Sequence, residues 1–241
     1  MRLVGVGVGP GDPELVTLKA VRVLTESDLV VVPVMSLDDE GRAERTVRAH
    51  VRPDRIRRLV FALDDRGGAT PKRRAAWDAA ADAVSGSLTS GAETVAFATL
   101  GDPNVYSTFT YLADAVRERL PEVTIETVPG ITAMQDLAAR SGTVLCEGTE
   151  TLALLPLTAG VPAFEEALAH FDTVVAYKGG RHMPAVREVL SRAGRLDEAV
   201  LGESLGLPDE QISPASASSG ESAYLSTVIV PARRASRGGR L

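Results

Sequence analysis

The sequence predicts an α/β fold of two domains, with a mainly parallel sheet in the N-terminal domain and a mixed sheet in the C-terminal domain. Up to Val128, apolar runs alternate with amphipathic stretches, which is typical of parallel strands covered by helices on both faces. After Pro129 the apolar runs are shorter, and glycine and proline turns separate them. We therefore expect domains at 1–128 and 129–231, followed by a flexible basic tail at 232–241.

The individual elements follow from apolar periodicity and from capping residues. Thr17 and Thr70 are predicted to cap two helices, and Ser107 a third with Tyr111, Ala115 and Val116 on one face. Further helices are expected at about 131–142, 163–170 and 184–193. The predicted strands are residues 3–8, 29–34, 56–61, 94–98, 124–128, 151–155, 174–178, 199–203 and 225–230.

Three predicted strands end in glycine- and proline-rich turns that precede helices. We name these turns the first loop (residues 7–13, GVGPGDP), the second loop (99–106, TLGDPNVY) and the third loop (129–133, PGITA). Ligands of open α/β sheets bind at the carboxyl ends of the strands, where such loops lie. Because the third loop also marks the domain boundary, we expect a ligand cleft between the two domains.

The loops do not carry the signatures of the common nucleotide sites. A G-x-G-x-x-G pattern read from Gly5, Gly7 or Gly9 has Pro10, Asp12 or Glu14 in place of its last glycine. The phosphate-loop ending Gly-Lys-Ser/Thr is also missing from the first loop. The loops therefore favour a ligand other than NAD or ATP.

The composition narrows the class of protein further. A net charge of -6 and an aromatic content of 4% argue against nucleic-acid binding. No apolar run reaches the roughly 18 residues of a membrane helix. The single cysteine, Cys146, cannot form an internal disulfide and is expected to be a small buried apolar residue. With no leader-like segment before the first strand, we expect a cytoplasmic protein.

Three motifs, in this order and spacing, resemble those of the tetrapyrrole methyltransferases. They are GVGPGDPELVTLKA at 7–20, LGDP at 100–103 and PGITA at 129–133. DLVVVPV at 28–34 and YLSTVIV at 224–230 are most similar to the branch that methylates C20 of precorrin-2. The resemblance covers roughly residues 1–230. It implies transfer of a methyl group from S-adenosylmethionine to a tetrapyrrole in cobalamin biosynthesis, with S-adenosylhomocysteine as product, by a homodimeric enzyme.

The resemblance also implies a set of cofactor contacts. In the second loop, Asp102 is expected either to meet the amino group of the cofactor or to accept bonds from its own turn. Lys178 stands where the superfamily often has a methionine, in the segment Tyr-Lys-Gly. The implied cofactor-binding residues are Pro10, Leu100, Gly101, Asp102, Val105, Thr132, Ala133, Tyr177, Lys178 and Gly202.

The substrate candidates are chosen from residues beside these loops and from one basic segment. Between residues 42 and 74, eleven basic side chains accompany four acidic ones, which predicts a local positive field that attracts a carboxylate-rich tetrapyrrole. Each arginine there is alternatively part of a solvated helix face. The substrate candidates are Arg42, Arg45, Tyr106, Glu147 and Arg181. As candidates for proton transfer we name Asp102, Tyr106 and His182.

Three classes of function remain open at this point. The first is methylation of precorrin-2 at C20, or of its cobalt-bearing counterpart, cobalt-factor II. The second is methylation of another ring position or, in one branch of the superfamily, of diphthine on a protein. The third is a nucleotide-binding regulatory module, which the missing nucleotide signatures disfavour. The three histidines are too scattered in the sequence to predict a metal site.

Overall fold

Five parallel strands form the sheet of the first structural unit. The computed structural model describes residues 1–63, 65, 68–217, 219–236 and 238. The chain divides into two units, Met1–Thr132 and Ala133–Leu241. In the first unit the strand order is β3-β2-β4-β1-β5, and all pairs are parallel. The strands are β1 (Arg2–Gly7), β2 (Leu29–Val34), β3 (Ile56–Val60), β4 (Thr94–Thr99) and β5 (Thr124–Val128).

Helices cover both faces of this sheet because neighbouring strand residues point to opposite sides. Leu3 and Phe97 pack with α3 and α4, whereas their neighbours Val4 and Ala96 pack with α1 and α2. The near-continuous apolar strands thus reflect burial on both faces, as predicted. The helices are α1 (Leu18–Glu26), α2 (Arg42–Arg48), α3 (Pro71–Thr89) and α4 (Phe109–Arg119).

Two of the three predicted caps are confirmed. The hydroxyl of Thr17 accepts from Ala20 N at 3.2 Å, and that of Thr70 accepts from Arg73 N at 3.1 Å. Ser107 accepts from Phe109 N at 3.1 Å, but Thr108 is the residue that directly precedes α4.

The side chains predicted to share one face of α4 differ in burial. Tyr111 is about half exposed and stacks on Trp77 of α3, with ring centroids 4.4 Å apart. The stacking uses the apolar surface of the tyrosine ring at the rim of the core rather than within it. The side chains of α4 that are buried are Phe109, Leu112, Ala113 and Val116.

The second unit is built around a mixed sheet of five strands in the order β6-β7-β10-β8-β9. Only β6 and β7 pair in parallel; the other pairs are antiparallel. β9 was not predicted, because its sequence QISP lacks an apolar run. The elements are α5 (Ala133–Ser141), β6 (Leu152–Pro156), α6 (Pro162–His170), β7 (Thr173–Tyr177), α7 (Met183–Arg192), β8 (Val200–Glu203), β9 (Gln211–Pro214) and β10 (Ser226–Val230).

The α/β class, with one parallel and one mixed sheet, is confirmed. Cys146 is exposed, so its expected burial was wrong; it lies in the loop between α5 and β6. Arg233 of the predicted tail pairs with Glu198 at 2.8 Å, while Arg237 and Arg240 lie outside the described residues. Among the helices of the described residues, none is long and apolar enough to cross a membrane.

Candidate functional site

The three glycine-proline loops meet at the carboxyl edge of the first sheet. They follow β4, β1 and β5, which are neighbours in the sheet, so the ends of these strands deliver the loops to one place. Gly101 N of the second loop donates to Gly9 O of the first loop at 2.8 Å. The site therefore begins as a contact between backbones rather than between side chains.

Glycine is required where the loops touch. A Cβ on Gly7 would lie 2.5 Å from Gly101 O, and a Cβ on Gly130 would lie even closer to the same oxygen. A Cβ on Gly101 would meet only Thr132 Cα, at 3.9 Å, although Gly101 has a φ of 65° that favours glycine. A Cβ there would thus make only an ordinary van der Waals contact, so the positive φ of Gly101, rather than a lack of space, favours glycine.

Asp102 links the second and third loops through both oxygens of its carboxylate. Oδ1 accepts from Asn104 N at 2.8 Å within its own turn, and Oδ2 accepts from Gly130 N at 3.0 Å. The expected turn role is therefore present, together with a bond between loops that the sequence did not predict. Contact of this carboxylate with a cofactor stays a prediction.

The remaining first-unit candidates lie along these loops. Leu100 packs against the apolar cluster beneath the sheet, and Val105 N donates to Asp102 O at 3.2 Å. Pro10 is half-buried in the first loop, and Thr132 is almost fully buried at the end of the third. The structure thus brings Pro10, Leu100, Gly101, Asp102, Val105 and Thr132 to one edge of the sheet.

In the second unit, Tyr177 holds the start of α5. Its hydroxyl accepts from Met134 N at 3.0 Å, one residue after Ala133. Because the first N–H groups of a helix have no partner within it, this bond satisfies one of them and fixes the entry into α5. Tyr177 was predicted only as a cofactor contact.

Lys178 and Gly202 have conformational and packing reasons for their positions. Lys178 follows β7 with a φ of 62°, and its N–H donates to Ser226 O at 2.9 Å. This φ is uncommon outside glycine and is found enriched at functional sites. A Cβ on Gly202 would lie 2.8 Å from Leu137 Cδ1, so a glycine lets α5 pack closely on β8.

Ion pairs cancel part of the predicted positive field. Arg48 and Arg58 both bind the buried carboxylate of Glu44, each with a closest distance of 2.6 Å, and Arg45 lies 3.8 Å from Glu40. Burial raises the pKa of Glu44, but the hydrogen bonds from the two arginines outweigh it and hold the pKa below its usual value. Arg66, Asp64 and Gly67 of this segment lie outside the described residues.

The other substrate candidates fall into two environments. Tyr106 ends the second loop with a φ of 49°, is 43% exposed, and has a pKa that partial burial raises. In the second unit, Arg181 Nε donates to His182 Nε2 at 3.4 Å, so this ring nitrogen acts as the acceptor. Glu147 lies 3.5 Å from Arg234, in an ion pair that the sequence did not suggest.

Two further side chains reach the first loop from α2 and the turn after it. Thr46 Oγ1 donates to Gly11 O at 3.1 Å, and His50 Nε2 lies 3.0 Å from Pro13 O. Neither residue was predicted to have a role, because Thr46 and His50 belong to no motif and are related only by their i, i+4 spacing. Among the described residues, no group of three or more His, Cys, Asp or Glu side chains is placed to hold a metal ion.

Comparison with known proteins gives consistent matches. The sequence model of the family described as Tetrapyrrole (Corrin/Porphyrin) Methylases matches residues 2–219. The chain is 33% identical over 237 residues to the precorrin-2 C(20)-methyltransferase of Sinorhizobium sp, covering 95% of each protein. It is 29% identical over 211 residues to the cobalt-precorrin-2 C(20)-methyltransferase of Salmonella typhimurium, covering 87% of this chain and 86% of that protein.

A solved structure agrees with the fold. The uroporphyrin-III C-methyl transferase of Thermus thermophilus, complexed with S-adenosylhomocysteine, matches with a TM-score of 0.64 at 22% identity. The match covers 95% of this chain and 97% of that chain. The resemblance inferred from the three loop motifs is confirmed.

Proposed function

Because the chain belongs to the tetrapyrrole (corrin/porphyrin) methylases, we propose that it methylates C20 of precorrin-2, giving precorrin-3A in cobalamin biosynthesis. The methyl donor is S-adenosylmethionine, and S-adenosylhomocysteine is the product. The two relatives named for C20 methylation, each aligned over most of its length, support this choice of ring position.

The observation that carries the donor site is the junction of the three loops at the carboxyl edge of the first sheet. Gly101 and Gly130 are partly exposed there, and without side chains they present backbone groups to a ligand. The start of α5 adds N–H groups that favour the carboxylate end of a donor. We propose as donor contacts Pro10, Leu100, Gly101, Asp102, Val105, Thr132, Ala133, Tyr177, Lys178 and Gly202.

The reaction asks the protein for positioning more than for a nucleophile. When bound, the donor supplies a methyl group whose C–S bond breaks as the new C–C bond forms at the ring carbon, leaving the electron pair on sulfur. The residues of the loops then act by holding donor and acceptor in line and by stabilising charge. This fits a site made of backbone and turns, without an activated serine or cysteine.

The substrate side is assigned from exposure and position. Tyr106, which is exposed at the end of the second loop, offers an aromatic face to a macrocycle. Arg42, Arg45 and Arg181 are proposed to bind its carboxylates, and Glu147 is retained as a contact despite its ion pair with Arg234. Asp102, Tyr106 and His182 remain the candidates to accept the proton that the ring carbon loses.

A calorimetric titration tests the donor site directly. We expect S-adenosylhomocysteine to bind and NAD and ATP to show no comparable heat. Binding of NAD or ATP in place of S-adenosylhomocysteine would instead favour a nucleotide-dependent regulatory module.

The choice between metal-free precorrin-2 and cobalt-factor II is tested by assay of the purified protein with each compound. The relative from Salmonella typhimurium, named for the cobalt-bearing substrate, keeps this second substrate open. Methylation of cobalt-factor II with a higher kcat/KM than precorrin-2 would replace our first choice.

We also propose that the protein is a cytoplasmic homodimer. Support for the homodimer comes from large apolar side chains exposed in the first unit, including Leu18, which is 90% exposed, and Met35 and Leu37. Sedimentation at micromolar concentration is expected to give twice the chain mass of 25.4 kDa. A single species of 25.4 kDa would contradict the dimer.

A further inference from the structure

The first loop is held in place by hydrogen bonds to its carbonyl groups. Gly9 O accepts from Gly101 N, and Asp12 O accepts from Leu15 N at 3.1 Å. Two more carbonyls, those of Gly11 and Pro13, accept from the side chains described next. Because a peptide plane turns as a unit, the bonds to Gly11 O and Pro13 O also fix the directions of Asp12 N–H and Glu14 N–H, whereas Gly9 O and Asp12 O precede prolines, which have no N–H.

Thr46 and His50 supply these two bonds. Thr46 is fully buried, and its hydroxyl donates to Gly11 O. His50 is half-buried in the turn after α2, with Nε2 near Pro13 O. Since a carbonyl oxygen only accepts, His50 Nε2 carries the hydrogen and donates it.

The helix that carries Thr46 is itself firmly anchored. Ala43 and Val47 are buried in the apolar layer under the sheet. On the adjoining side, Glu44 joins Arg48 of the same helix to Arg58 of β3. A buried carboxylate with two arginine partners resists displacement, because moving it would leave a charge unpaired. α2 therefore holds Thr46 in a fixed position, and His50 follows in the turn that begins at its end.

We propose that Thr46 and His50 are positioning residues for the methyl-donor site: through Gly11 O and Pro13 O they set the shape of the first loop without touching the donor. This inference rests on the proposed function, in which the first loop lines that site. It assigns the basic segment at 42–74 a structural part in donor binding, through Glu44, in addition to any attraction of substrate.

The test compares donor affinity in Thr46→Val, His50→Ala and His50→Gln with that of the wild type. Valine keeps the shape of threonine but cannot donate, and glutamine supplies an N–H donor in place of Nε2. We expect the Kd of S-adenosylhomocysteine to rise about three- to tenfold in Thr46→Val and His50→Ala, the scale of one lost hydrogen bond. His50→Gln should recover most of the affinity, and the KM for the tetrapyrrole should change less than the KM for the donor.

Ser27→Ala is the matched control. Ser27 is also fully buried and donates to a backbone carbonyl, Val23 O, at 2.7 Å, but at the end of α1 that leads into the amino end of β2. It should lower the thermal midpoint as much as Thr46→Val and leave the Kd unchanged.

Three results would overturn the inference: an unchanged Kd in folded Thr46→Val and His50→Ala, an equal rise in Ser27→Ala, or no recovery in His50→Gln. If Thr46→Val does not fold, the two His50 variants decide the matter. Absence of S-adenosylhomocysteine binding by the wild type would instead contradict the proposed function.

Discussion

Two aspartates, one bonded to the start of β4 and one just past its carboxyl end, show how the two edges of the first sheet differ. Asp28, at the amino edge, uses a single oxygen, Oδ2, to accept from Glu93 N and Thr94 N, both at 2.9 Å. Asp102, just past the carboxyl end, uses one oxygen for its own turn and the other for Gly130 of the third loop. An asparagine can keep the first arrangement but only half of the second, because its NH₂ group cannot accept a hydrogen bond.

The difference indicates where the molecule depends on its ligand loops. At the amino edge a carboxylate joins two segments that have no predicted ligand, so its loss should affect stability alone. At the carboxyl edge the same kind of bond joins two of the loops proposed to hold the donor, so its loss should affect stability and affinity together.

The largest effect is expected from Gly130→Ala, which tests whether the carboxyl edge is packed backbone to backbone. The added Cβ would collide with the backbone oxygen of Gly101 and the backbone carbons of Gly7. Neither segment can move away without distorting the end of a strand. We expect a loss of about 3 kcal/mol or more of unfolding free energy and no detectable binding of S-adenosylhomocysteine. Urea unfolding and calorimetry measure the two quantities.

Gly86→Ala is the control for Gly130→Ala. Gly86 lies in α3, where a Cβ would have no atom within 4 Å. Alanine there should raise the unfolding free energy by up to about 1 kcal/mol, because it favours the helix. A Gly130→Ala variant as stable as the wild type would show that the loops can move apart.

The next effect separates the two aspartates. Asp102→Asn should raise the Kd of S-adenosylhomocysteine about tenfold and lower the unfolding free energy by about 1–3 kcal/mol, because one backbone N–H loses its acceptor. Asp102→Ala should be worse on both measures. Asp28→Asn should leave the Kd unchanged. Equal affinities in all three variants would restrict Asp102 to shaping its turn.

A smaller effect concerns the pH dependence of stability at the amino edge. The hydrogen bond from Thr94 N, joined by that from Glu93 N, outweighs desolvation and holds the pKa of Asp28 below its usual value. A carboxyl whose pKa is lower in the folded state stabilises the fold above its unfolded-state pKa of about 4. That contribution is lost as the pH falls through the folded-state pKa.

Unfolding of the wild type and Asp28→Asn from about pH 7 down to pH 3 measures this contribution. We expect the wild type to be the more stable at neutral pH, with the difference shrinking below about pH 4. A difference that stays constant down to pH 3 would show that the charge of Asp28 is not involved.

The difference between local patterns and contacts between distant segments explains what the sequence could and could not predict. Strands, two helix caps and the three loops follow from local patterns of apolar and turn residues. The pairing of Glu44 with Arg58 depends on how the fold brings α2 and β3 together. Glu40, which pairs with Arg48, lies outside the basic segment at 42–74 and was not counted among its charges. The bond between Asp102 and Gly130 likewise requires the ends of β4 and β5 to flank β1.

Other features escaped prediction because they depend on contacts with other segments of the chain. β9 has no apolar run, and it becomes a strand through antiparallel pairing with β8. Tyr111 follows the helical spacing but stacks on Trp77 at the rim. Thr46 and His50 belong to no motif, since their carbonyl partners lie in a loop distant in sequence.

The smallest effect tests whether the positive charge of the basic segment at 42–74 attracts substrate. Arg45 is half exposed on α2, and its Nε lies 3.8 Å from Glu40, a longer distance than the 2.6 Å from Arg48 and Arg58 to Glu44. Its charge is therefore not held at the buried carboxylate of Glu44. Arg45→Ser should raise the KM for the tetrapyrrole about twofold at low salt and leave the donor KM unchanged. The effect should fade as salt is added, because exposed charges are screened beyond about 8–10 Å.

Arg117→Ser provides the matched change of charge on the other face of the sheet. Arg117 is similarly exposed on α4 and pairs with Asp114 at 3.1 Å, so its replacement removes the same charge and a comparable surface ion pair. Exposed pairs of this kind contribute about 0–1 kcal/mol, so neither variant should lose its fold. A rise in the tetrapyrrole KM that is equal in both variants would reflect net charge alone. A KM that is flat in Arg45→Ser would leave the segment with its structural role, in which Glu44 anchors α2 behind the first loop.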